Sequence, residues 1–136
     1  MATVRHECVT CGCTVIENGV KLLIEAARVA DGREPAVEFL DALANGKKKD
    51  LERLAKLMVR FEEYARTGRL VVPRELNELR NGFWEVKAGD ARMIFFYAGH
   101  PGRASIRLTN GFVKNTQKTP RKEIDTATWI RREDEV

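Results

Sequence analysis

The feature that most constrains the fold is a change of hydrophobic period part-way along the chain. Between residues 35 and 68 the apolar side chains recur at helical spacing, whereas between 83 and 113 they fall in short runs of aromatic and branched residues. A helix buries one stripe and a strand one face, so a chain that switches period in this way has to lay helices against a sheet.

Residues 21–29 read as a mainly apolar strand that the Asp31-Gly32 turn ends. Pro35 suits the first turn of a helix with Val37, Leu40 and Leu43 on one face and Gly46 as its stop. Asp50 is the expected cap of a second helix, which carries Leu51, Leu54, Met58, Phe61 and Ala65 and closes at Gly68. Glu52/Lys56 and Glu62/Arg66 form favourable pairs on its exposed side. Residues 83–87 and 92–97 then read as strands joined by a tight Gly89-Asp90 turn, and 105–113 as a third. Pro120 opens a last, charged helix that ends near Arg132. The expected order is strand, helix, helix, three antiparallel strands, helix. This is an α+β domain with its helices packed on one face of an antiparallel sheet.

A chain of 136 residues suits a single domain, placed at 20–132 between an extension at 1–19 and an acidic tail at 133–136. No run of 18 apolar residues occurs, so no membrane span is expected. Arg5, His6 and Glu7 stand where a secretory leader needs an apolar stretch, which points to a cytoplasmic protein. The net charge of +4 is unevenly distributed. Residues 1–68 hold 11 basic and 11 acidic side chains, and residues 69–136 hold 13 and 9. Within 103–122 there are six basic residues and no acidic one, a pattern that suits either a polyanion partner or a solvated basic face.

All three cysteines lie close together, at Cys8, Cys11 and Cys13, with His6 just before them. The CxxC spacing can meet one tetrahedral zinc, but a second pair of ligands is missing elsewhere in the chain. His6, Cys8, Cys11 and Cys13 would have to close the site alone or share it between two chains. The simpler alternative is a frayed tail of thiols in a reducing compartment. No cofactor is expected.

If Gly89-Asp90 is a two-residue turn, Ala88 faces Ala91 and Lys87 lies opposite Arg92. Two cations so placed repel, and Glu85, two residues before Lys87, offsets part of the repulsion. A second hairpin that pairs Ala98 with Ala104 would set Arg92 opposite Asn110, with Lys114, Lys118 and Arg121 beyond it. Trp84 and Val86 point to the other face, toward the helices. Ile94, Phe96, Ile106 and Leu108 share the parity of Arg92, so the basic corner either lies over an apolar floor or a bulge switches the faces. No GxxxxGKS/T loop, GxSxG elbow, HExxH or GxGxxG motif is present. A phosphate-directed enzyme on this chain would work through cations.

The stretch ELRNGFWEVKAGDARMIFFY, followed by IRLTNGFVKNTQKTPRKEIDTA, resembles the phage-derived, HigB-like branch of the RelE/ParE toxin superfamily. REPAVEFLDAL resembles that family's opening helix, and the order of elements over residues 20–131 agrees with it. The resemblance implies a RelE-like fold and the toxin of a type II toxin–antitoxin pair. Such a toxin cuts mRNA on the ribosome without a metal and is neutralised by a helix-turn-helix antitoxin encoded next to it. The catalytic positions it implies are Arg92, Lys87, Lys114 and Lys118, with Arg80 beside them; Asn110 and Arg121, from the basic corner, and Trp129 are further candidates for contact with RNA. Asn110 stands where related toxins often carry histidine, and Trp129 can stack on a base but cannot take a proton. Two alternatives remain open at the level of sequence: a ParE-like inhibitor of DNA gyrase, and an inactive phage remnant that only binds its antitoxin.

Overall fold

Pro35, fixed at a helical φ, starts α1 (Pro35–Ala44), and its buried stripe is Ala36, Val37, Leu40 and Leu43. A turn at residues 45–47 leads to α2 (Lys48–Thr67), which Gly68 closes in the left-handed region at φ 73°. Asp50, the expected cap, lies inside the first turn of α2, where it pairs with Arg53. The buried stripe of α2 keeps Leu54, Phe61 and Ala65 of the expected one and adds Leu57 and Tyr64, while Met58 is partly buried and Leu51 exposed.

These helices come from a computed structural model that describes residues 6–7, 13–100, 102–115 and 118–135. The strands are β1 (His6–Glu7), β2 (Thr14–Asn18), β3 (Leu23–Ala26), β4 (Leu76–Glu78), β5 (Phe83–Ala88), β6 (Ala91–His100) and β7 (Arg103–Val113). They form one seven-stranded sheet in the order β1-β2-β3-β7-β6-β5-β4. The class is α+β, and β5, β6 and β7 are antiparallel as expected. The sheet as a whole is mixed, because β3 pairs parallel with β7.

Three strands lie outside the expected order: β1, β2 and β4. β2 lies within the segment expected to be an extension, yet Thr14, Val15 and Ile16 are buried and β2 pairs with β3. Its return to β3 passes Gly19, whose missing side chain lets the backbone lie directly on Ala65 of α2. β4 is a three-residue edge strand on β5, too short to leave an alternating pattern.

The helices do not share one face. α1 and α2 cover the face that carries Val86, Met93, Phe95, Ile106 and Leu108. The last helix, α3 (Arg121–Asp134), lays Ile124, Ala127 and Ile130 on the opposite face, against Phe83, Ile94, Phe96 and Phe112. Aromatic residues at every position of β6 from Phe95 to Tyr97 leave both of its faces apolar, so each needs a cover. The C-terminal end of α3 is pinned by its acidic residues. Asp134 accepts from the Arg28 N–H and from Arg107, and Glu133 accepts from the Ala30 N–H. Glu133 and Asp134 therefore belong to the last helix, not to a tail.

Candidate active site

The Gly89-Asp90 turn produces the expected register: Ala88 pairs with Ala91, Lys87 with Arg92, and Glu85 with Ile94. The second hairpin does not. Ala98 pairs with Ser105, one residue beyond the expected register, and a further shift between Met93 and Phe95 sets Arg92 opposite Phe112. Thr109 and Asn110 together oppose Ile94 at this bulge, and the Thr109 hydroxyl donates to the Ile94 carbonyl at 3.1 Å. The extra residue moves Ile106 and Leu108 to the α1–α2 face while Arg92, Ile94 and Phe96 stay beneath α3. Both alternatives for the basic corner are realised: an apolar floor from β6 and a bulge that takes Ile106 and Leu108 of β7 out of it while Phe112 stays.

Lys87, Lys114, Lys118 and Arg80 line a pocket of about 440 Å³, together with Glu85 and Thr119. Lys118 and Arg80 are exposed, whereas Lys87 and Lys114 are partly buried. Glu85 is 1% exposed. One of its oxygens accepts from the Thr119 hydroxyl at 2.7 Å and the other from Asn77 Nδ2 at 3.3 Å. Burial lowers the pKa of Lys114, the positive charges of Arg92 and Lys87 lower it further, and Glu85 pulls it back up. The result is a carboxylate at the centre of a cationic pocket.

Glu85 was legible in the sequence only as a charge offsetting Lys87. Its alternation with Phe83 and Lys87 would place it on the site's face, but its burial depends on Thr119 and Asn77, which arrive from distant segments.

A family model described as Phage derived protein Gp49-like (DUF891) matches residues 38–132. The chain belongs to this family. No curated protein matches it. The matched span runs from α1 into α3 and contains the whole pocket of this Gp49-like protein, while β1 to β3 lie before it.

The other expected positions divide by role. Arg92 does not line the pocket. Its Nη1 donates to the carbonyls of Gly89 and Ala91, at 2.7 and 2.9 Å, and its buried Nε has no hydrogen-bond partner. Burial lowers its pKa, and Glu85 and Asp90 oppose that shift. Phe112, not the expected Asn110, stands opposite Arg92, and the turn takes up its guanidinium. Asn110 is buried and donates to the backbone and side chain of Glu123, so it joins β7 to α3. Arg121 is exposed at the first position of α3, and Trp129 is 43% exposed, off the Ile124/Ala127/Ile130 stripe as its spacing predicts. Neither lines the pocket of the Gp49-like chain.

The zinc expectation falls mostly outside the described residues, since Cys8, Cys11 and the His6 side chain lie there. Cys13 is buried. Among the described residues no group of three or more His, Cys, Asp or Glu side chains is placed to hold a metal, and no helix is long and apolar enough to cross a membrane.

Proposed function

We propose that this Gp49-like protein is the toxin of a type II toxin–antitoxin pair, a cytoplasmic endoribonuclease that cuts mRNA at the ribosome and stops translation. The observation that carries the proposal is Glu85, a buried carboxylate in a pocket lined by Lys87, Lys114, Lys118 and Arg80. Cleavage of RNA by its own 2′-hydroxyl needs a proton acceptor, charge stabilisation on the phosphate and a proton for the leaving oxygen. The pocket holds one candidate for each.

Glu85 takes the proton as the 2′-oxygen attacks phosphorus. The new P–O2′ bond forms and the P–O5′ bond breaks, leaving a 2′,3′-cyclic phosphate. Lys87 and Lys118 offset the charge on the phosphate oxygens, and Lys114, whose pKa is lowered, gives a proton to O5′. Arg92 adds positive charge from behind the turn. Arg80, Arg121 and Trp129 extend the contact along the RNA. The antitoxin is a helix-turn-helix protein encoded beside the toxin.

Induction in a translating extract tests the proposal. The expected result is mRNA cut to 2′,3′-cyclic phosphate ends, undiminished by a chelator and relieved by the neighbouring gene's product. Intact mRNA with inhibited supercoiling would assign the chain to gyrase poisoning instead, and cleavage that needs Mg²⁺ would overturn the mechanism.

A further inference from the structure

Three successive carbonyls at the β5–β6 turn are each taken up by a group of the candidate site. The Gly89 and Ala91 carbonyls accept from Arg92 Nη1, and the Asp90 carbonyl accepts from the Lys114 N–H at 2.7 Å. The turn thus sets where the Arg92 guanidinium lies and where Lys114 leaves β7. Gly89 occupies the left-handed region at φ 61°, in a two-residue loop with glycine first.

The Asp90 side chain reaches away from the pocket, to α2. Arg53 Nε donates to one carboxylate oxygen and Nη2 to the other, both at 2.8 Å. Arg53 Nη1 donates to Asp50 at 2.8 Å, so all three guanidinium nitrogens are engaged and the fork is held in one orientation. α2 in turn is anchored in the core by Leu54, Leu57 and Phe61. The Arg53 fork lowers the Asp90 pKa, so the carboxylate stays ionised at neutral pH.

We infer that Asp90 is a positioning residue for the site: through its two-point bond to Arg53 it holds the turn that places Arg92 and Lys114 beside Glu85 and Lys87. Turn chemistry alone does not require an aspartate, since asparagine and serine also follow glycine in such loops. Only a carboxylate offers both oxygens to a guanidinium fork, which fixes orientation where a lysine would fix little more than distance. The kinetic consequence rests on the nuclease proposal; the placement of the two cations does not.

Asp90→Asn, Arg53→Gln, Arg53→Lys and the Asp90→Asn/Arg53→Gln pair, each in the full chain, separate these statements. In Asp90→Asn the Lys114 amide should exchange about 10-fold faster and the Arg92 Nε resonance should move, while the Phe61 amide of α2 keeps its protection. The kcat for cleavage of a mixed-sequence mRNA on ribosomes should fall about 10- to 100-fold with KM within about threefold, the signature of misplaced groups. The pair should be no worse than either single variant, and Arg53→Lys should be intermediate. Unchanged Lys114 exchange and Arg92 shift would overturn the inference, as would a kcat within about twofold of the parent. If the parent protein leaves RNA intact, the nuclease proposal falls, and the exchange and resonance data alone decide whether Asp90 places the cations.

Discussion

The Thr119 hydroxyl donates to Glu85 at 2.7 Å, which ties the segment before α3 to the middle of β5. That bond fixes one carboxylate oxygen inside the cationic pocket and lets the incoming segment close over it. Replacing Glu85 with Gln preserves the shape and the bond to Thr119 but removes the proton acceptor. Single-turnover cleavage should fall about 10²- to 10⁴-fold, the usual contribution of a positioned base. RNA affinity should be kept or raised. Cleavage at the parent rate would remove Glu85 from the mechanism.

Lys114 carries the pH prediction. Its pKa is lowered from 10.5 by burial and by Arg92 and Lys87, so its charge is lost at a pH below the ordinary lysine range. The cationic form is the acid, and it disappears as pH rises through that lowered value. Cleavage should therefore show an alkaline limb lying below 10.5, and Lys114→Arg should move that limb upward or abolish it. The sign for stability is consistent. A lysine that ionises less readily in the fold than in the unfolded chain weakens the fold fully below its folded pKa, and the penalty fades as pH rises from there to the unfolded value of 10.5. A rate that is flat up to pH 10.5 would contradict the assignment.

Trp129, 43% exposed on α3, tests how far the RNA contact extends. Because the ring lies off the buried stripe, Trp129→Ala should change stability by less than about 1 kcal/mol, against 3–5 kcal/mol for a core aromatic. RNA affinity should weaken by about 1–3 kcal/mol if a base stacks on the indole. Fluorescence quenching on RNA addition, read beside a melting curve, measures both. A large fall in melting temperature with unchanged affinity would place Trp129 in the core instead.

Asp134 tests the anchoring of α3. Its side chain is 3% exposed and accepts from Arg107 and from the Arg28 N–H. Asp134→Ala should cost about 3 kcal/mol in urea unfolding, because it removes a buried carboxylate that both Arg107 and the Arg28 N–H use. Glu135→Ala, which breaks only a 4.0 Å contact with Arg131 at a side chain 64% exposed, should cost less than about 0.5 kcal/mol. Equal effects of the two substitutions would refute the anchor.

The elements that adjacent residues specify are legible in the sequence. Pro35 and Gly68 bound the helical hairpin, Gly89-Asp90 forces Lys87 opposite Arg92, and the Ile124/Ala127/Ile130 spacing orients α3. Sterics and nearest-neighbour hydrogen bonds act over a few residues, so the order of those residues carries them. The family resemblance agrees with the matched family at the level of a phage-derived protein.

Folding settled the rest through contacts between distant segments. The turn of the second hairpin and the bulge at Thr109 and Asn110 each shift the register by one residue, which together set Phe112 in place of Asn110 beside Arg92, and nothing in the local pattern of β7 marks the bulge. Apolar residues on both faces of β6 allow α3 to cover either face, and the sheet is completed with α3 opposite α1 and α2. β2 becomes a strand only because β3 is there to pair with it and Gly19 fits against Ala65. Glu85, an ordinary charged residue in the chain, becomes a buried carboxylate among lysines only when β4 and the segment before α3 meet over β5. Burial and long-range register are sums over many distant contacts, and no window of sequence contains them.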